Sequence, residues 1–98
     1  KYVHGEHPIF MGGSMQYIVK GQYKYIWFSK DGREQLFDLD ADPQELKDLS
    51  AMRGSKETLE SLRGLLVKEL AGREEGYSDG SKLVTGRPAK DVLLHAMP

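Results

Sequence analysis

The only compact set of side chains able to do acid-base or ligand chemistry lies near the start of the chain, in His4-Gly5-Glu6-His7. An imidazole titrates near neutrality and binds metals through its unprotonated nitrogen, and a neighbouring carboxylate can orient it or act as a second base. A metal centre needs three or four such donors converging from one side. If this run is a strand, His4 and His7 point to opposite faces. The third histidine, His95, is far along the chain, with no motif to bring it back. No residue is therefore assigned as a metal ligand or as catalytic, and hydrogen bonding by His4, Glu6 and His7 is the chemistry that remains.

Other groupings are weaker. Gly12-Gly13-Ser14 has the composition of an anion cradle, but no helix start follows it and its spacing fits neither phosphate-loop fingerprint. Asp38, Asp40 and Asp42 alternate as in a calcium loop without that loop's glycine and terminal glutamate. Tyr17, Tyr23, Tyr25 and Trp27 interleave with Lys20 and Lys24, a set that in a basic protein would stack on single-stranded nucleic acid. Here 14 Lys and Arg stand against 15 Asp and Glu, mixed along the chain, so neither nucleic acid nor an anionic membrane is an expected partner. There is no cysteine, which excludes disulfides, thiolate metal sites and a thiol nucleophile. No run of about 18 apolar residues is present either.

Four short segments rich in aromatic and branched residues could position these groups as strands: Tyr2 to His4, Met15 to Lys20, Lys24 to Ser29 and Glu34 to Leu39. Gly21-Gln22 and Lys30-Asp31-Gly32-Arg33 read as hairpin turns, so neighbours pair antiparallel. Alternation in the third segment sets Tyr25, Trp27 and Ser29 on one face and Lys24, Ile26 and Phe28 on the other. Large apolar groups thus occur on both faces, and such a sheet needs covering on both sides.

Asp42-Pro43-Gln44-Glu45 reads as a helix start, with Asp42 as cap, Pro43 in the first turn and Glu45 closing a capping box ahead of a short helix bearing Leu46 and Leu49. Ser55 then caps a longer helix ending near Gly72, in which Leu59, Leu62, Leu66 and Leu70 form one apolar stripe that packs on the sheet. From Arg73 to the end, glycine and serine break the pattern into an irregular tail. Within it Lys82 to Thr85 reads as a short strand and Val92 to Leu94 as a final apolar anchor. The expected fold is α+β, a small antiparallel sheet of about four strands with one main amphipathic helix packed on it. At 98 residues such a unit buries only about 60–65% of its unfolded surface, so its core is thin. The opening Lys1-Tyr2-Val3-His4 reads as already inside a strand, the pattern of a piece of a longer chain.

The order Gly21-Gln22-Tyr23-Lys24-Tyr25, then Glu34-Gln35-Leu36-Phe37-Asp38-Leu39, then Asp42-Pro43-Gln44-Glu45 with leucines following, resembles the closing portion of sulfatases of the formylglycine-dependent arylsulfatase type. The similarity runs from residue 1 to about 72, and His4-Gly5-Glu6-His7 resembles the segment leading into this portion. Asp48 departs from it, where asparagine is commoner; either residue can bond nearby backbone.

The resemblance implies a single C-terminal subdomain over 1–98, with 73–98 as its tail, docked against an N-terminal α/β catalytic domain. It implies a parent enzyme that hydrolyses sulfate esters with a formylglycine and a calcium-type divalent cation, and that is exported to the periplasm, the exterior or a lysosome. The nucleophile motif Cys/Ser-x-Pro-x-Arg and the family's metal-binding Asp and Asn pairs do not occur here, so no cofactor is expected within these residues and the isolated chain is expected to be inactive. Within that frame His4, Glu6 and His7 become candidates for the rim of the substrate cleft, where they would hydrogen-bond the alcohol portion of a substrate. The competing expectation is an independent α+β module that binds another protein or a ligand through its aromatic sheet face. Self-association through a sheet edge or that face is a further one.

Overall fold

The computed structural model describes residues 1–8, 13–73 and 76–85. Four strands follow one another: β1 (Val3–Pro8), β2 (Ser14–Lys20), β3 (Tyr23–Phe28) and β4 (Glu34–Asp38). They form one antiparallel sheet in the order β1-β2-β3-β4. The β2–β3 turn has the two central residues Gly21 and Gln22, with Gly21 at φ 61°, a value that favours glycine. In the next turn Asp31 Oδ1 accepts from the Arg33 amide and Gly32 takes φ 79°, as the Asp-Gly pair predicts.

After β4 the expected short helix is not formed. Glu45 adopts φ 58°, which breaks an α-helix at once. The amides that a helix would use are taken elsewhere: Leu46 and Lys47 donate to the two Asp42 carboxylate oxygens, and Leu49 donates to the Leu36 carbonyl. Asp42 is thus the cap of a turn, and Glu45 pairs with Lys24 at 3.2 Å instead of closing a capping box. Leu46 is 79% exposed, so no apolar stripe held a helix in place there. A 3-10 turn (Arg53–Ser55) leads into α1 (Lys56–Leu70). Ser55 occupies the cap position without a side-chain capping bond, while Glu57 in the first turn and Lys68 in the last suit the helix dipole.

The predicted stripe is the one that packs. Leu59, Leu62, Leu66 and Leu70 meet Ile18, Tyr25, Trp27 and Leu36 of the sheet in one core. The core also holds Tyr77, whose ring meets Trp27 edge-on at 5.8 Å and 70°. The segment carrying Tyr77 is fastened by Ser78 Oγ donating to the Val67 carbonyl and by a hairpin-like turn in which Val84 N donates to Tyr77 O. Leu83 makes a single bridge to Ser78 in place of the short strand expected at 82–85, and 92–94 lies outside the described residues. Among the described residues no helix lies on the sheet face opposite α1. There Ile26 and Phe37 are buried, Lys24 lies over the Tyr17 ring, and Arg33 lies over Phe28. Long cationic side chains therefore cover part of the face that the sequence left in need of a cover.

Candidate functional site

Strand β1 carries all three sequence-predicted residues, and the alternation of the strand separates them. The register His4↔Ile18 and Glu6↔Gln16 puts His4 and Glu6 on the α1 side of the sheet; His7, opposite Met15, stands exposed on the other. His4 and Glu6 are joined through Gln16, which is 1% exposed. His4 Nε2–H donates to Gln16 Oε1 at 2.7 Å, and the Gln16 amide group donates to Glu6 Oε1 at 3.0 Å and Ser14 Oγ at 2.8 Å. The buried carboxamide is thereby satisfied at its oxygen and at both its hydrogens.

The helix end completes the cluster. Arg73, just past α1, donates to both Glu6 oxygens at 3.2 and 3.3 Å. Glu69 places Oε2 3.9 Å from His4 Nδ1 and accepts from the Tyr2 hydroxyl at 2.9 Å. Partial burial pushes the Glu6 carboxyl up, but the bonds from Gln16 and Arg73 and the Arg73 charge outweigh it and hold it below the usual carboxylate range. With its Nε2 proton engaged by Gln16, His4 is set up as a structural donor. The whole arrangement fastens β1 and β2 to the C-terminal end of α1.

A second polar junction sits on the same face of the sheet, at its opposite edge. Arg63 of α1 donates to Glu34 of β4 through Nε and Nη2, the latter at 2.8 Å, and the Tyr25 hydroxyl donates to Glu34 Oε2 at 2.7 Å. Burial raises the Glu34 pKa, yet the Arg63 and Tyr25 bonds more than reverse it, and the Tyr25 phenol is driven up by burial and by the adjacent carboxylate. The sequence reading missed both junctions. Gln16 was the available signal, since it shares its face with Ile18, and an amide on a core face requires partners.

The other sequence groupings serve structure. Ser14 opens β2 with its amide donating to Ser29 Oγ at 2.8 Å, and Asp38 Oδ1 accepts from the amides of Asp40 and Ala41. Tyr25 and Trp27 are buried, which removes them from any stacking surface. Among the described residues, no three His, Cys, Asp or Glu side chains converge where they could hold a metal ion, and no helix is long and apolar enough to cross a membrane. The large apolar residues left exposed among them are Tyr2, Val3, Leu46 and Met52, so the only adjacent pair precedes or opens β1.

No family model matches the chain. It is 52% identical over 91 residues, 93% of its length, to an arylsulfatase of Clostridium perfringens (strain 13 / Type A). The chain matches a fragment of a sulfatase. It spans about a fifth of that relative, 19% of its length. The α+β arrangement expected from the sequence, a sheet of four antiparallel strands and one main helix, is the one observed. In it Asp48, the departure from the commoner asparagine, accepts through Oδ1 from the amides of Leu36 and Ser50 at 3.0 and 2.9 Å.

Proposed function

We propose that this chain is the C-terminal structural and substrate-rim subdomain of a sulfatase that hydrolyses sulfate esters. The observation that supports it most is the 52% identity over 93% of this chain to an arylsulfatase of which it covers 19%. The parent's formylglycine and calcium-type cation belong to the remaining part of the polypeptide, an N-terminal α/β catalytic domain that is this unit's partner, and the parent is an exported protein. The 98 residues by themselves are inert. Strand β1 stands at the rim of the cleft, with exposed His7 as the contact to the alcohol portion of the substrate and the His4, Gln16 and Glu6 bonds holding the strand in place.

The test is hydrolysis of a chromogenic aryl sulfate by the full-length protein and by this chain. Activity confined to the full-length protein is expected; activity in the 98-residue chain, or a full-length protein without any, refutes the proposal. Within the active protein, His7→Ala is expected to raise KM more than it lowers kcat, because a rim hydrogen bond is made in ground and transition states alike. Unchanged constants for His7→Ala, His4→Ala and Glu6→Ala would remove the rim role and leave the docking role.

A further inference from the structure

The two edges of the sheet are finished differently. In β2 the pair Lys20↔Tyr23 closes a two-residue hairpin, and Ser29 N donates to Ser14 O, so the even-numbered residues of β2 direct their main-chain groups to β3 and the odd-numbered ones to β1. Their partners Val3, Gly5 and His7 then face β2, and the amides and carbonyls of His4 and Glu6 face outward. The same logic leaves Leu36 facing outward from β4. That edge is closed at Leu36, whose amide donates to Asp48 Oδ1 and whose carbonyl accepts from the Leu49 amide, and at Asp38, whose carbonyl accepts from the Asp42 amide. Among the described residues β1 pairs with β2 alone, and Pro8 is its only edge-blocking residue. Beside this edge stand Tyr2 and Val3, 37% and 60% exposed, the adjacent pair of exposed large apolar side chains.

We propose that the outer edge of β1 is a strand-addition seam, occupied by an extended segment of the catalytic part of the same polypeptide. It accepts main-chain hydrogen bonds into the window formed by His4 and Glu6, and its apolar side chain covers Val3. This rests on the reading of the chain as one part of a larger sulfatase, which supplies the occupant: four-fifths of the matched relative lies outside the aligned part. Pro8 has no amide to offer, so it ends the window and fixes the register of the incoming segment. The side chains of His4 and Glu6 are held on the α1 side by Gln16 and Arg73, which keeps the seam's main-chain groups in a fixed line.

Amide hydrogen exchange on the full-length protein reads the seam directly. The His4 and Glu6 amides are expected to be protected about 100-fold or more relative to the Lys30 amide in the exposed β3–β4 turn. A benzophenone-bearing residue in place of Val3 is expected to cross-link to a peptide from outside these 98 residues. Exchange at His4 and Glu6 as fast as at Lys30 overturns the seam. Protection that disappears on dilution, or a cross-link to a second copy, overturns the occupant. The aryl sulfate assay separates the two readings: an active parent with unprotected amides sinks the seam alone, and an inactive parent with protected amides sinks the sulfatase function alone.

Discussion

Replacing Trp27 by alanine tests whether this unit carries a core of its own. Trp27 is 2% exposed, packed among leucines of α1, with Tyr77 edge-on against it at 5.8 Å. Truncating a buried tryptophan costs about 3–5 kcal/mol, from lost burial and the cavity left behind. An edge-on aromatic pair accounts for about 0.5–1.5 kcal/mol of such a loss. For a unit of this size each kcal/mol moves the midpoint by about 4–8 °C, so Tm should fall by about 12–40 °C. Urea unfolding followed by far-UV circular dichroism gives the loss directly, and a cycle of Trp27→Phe with Tyr77→Leu gives the change in coupling between the rings. A loss under about 1 kcal/mol for Trp27→Ala would refute the reasoning, since it would place the indole at a surface that another body completes.

At Gly5, opposite Tyr17, an added Cβ would overlap the tyrosine ring. Gly5→Ala should therefore cost about 1–3 kcal/mol in urea unfolding, and most of the loss should vanish in a Tyr17→Ala background; an equal loss in both backgrounds would show that the ring is not the obstacle. Acid is a second lever. Hydrogen bonds and neighbouring charge outweigh burial at Glu6, Glu34 and Asp48, so these carboxyls sit below their ordinary values in the folded chain. Lowered carboxyls stabilise above the unfolded carboxylate range, about pH 4, and that contribution is lost as pH falls through their folded values. The urea midpoint should drop between about pH 5 and pH 2.5, and a flat midpoint would contradict the assignment. Asp48→Asn keeps an oxygen for the Leu36 and Ser50 amides but has no proton to gain. It should hold neutral stability within about 0.5 kcal/mol and flatten part of the acid loss, whereas Asp48→Ala should cost about 1–2 kcal/mol at neutral pH.

Where one local pattern decides the backbone, the sequence was readable. Gly21 and Gly32 required positive φ and received it, and the leucines of α1 could be buried together only by a helix facing a sheet. The segment 42–47 misled because Asp-Pro-x-Glu has the composition of a helix start, while the Asp42 carboxylate takes the Leu46 and Lys47 amides in a turn and the Leu49 amide just beyond goes to Leu36 of β4, which the local pattern does not contain. Tyr77 could not be placed, because the periodicity ends at Gly72 and its partner Trp27 is distant in sequence. The candidate site was half legible. Alternation separated His7 from His4 correctly, but Glu69 and Arg73 come from the end of a helix whose rotation over the sheet no spacing rule supplies.

Strand order equal to chain order has a consequence in time. Every pairing in the sheet joins neighbours along the chain, so each closes over a short loop and none waits for a distant segment. Hairpins of this kind form in about 1–10 μs, far faster than the ribosome adds a residue. The sheet can therefore assemble as soon as Asp38 has left the ribosome, before α1 and Tyr77 arrive to seal its apolar face. During that interval Tyr25, Trp27 and Leu36 have no cover, and this is the stage at which the nascent chain is most exposed to aggregation.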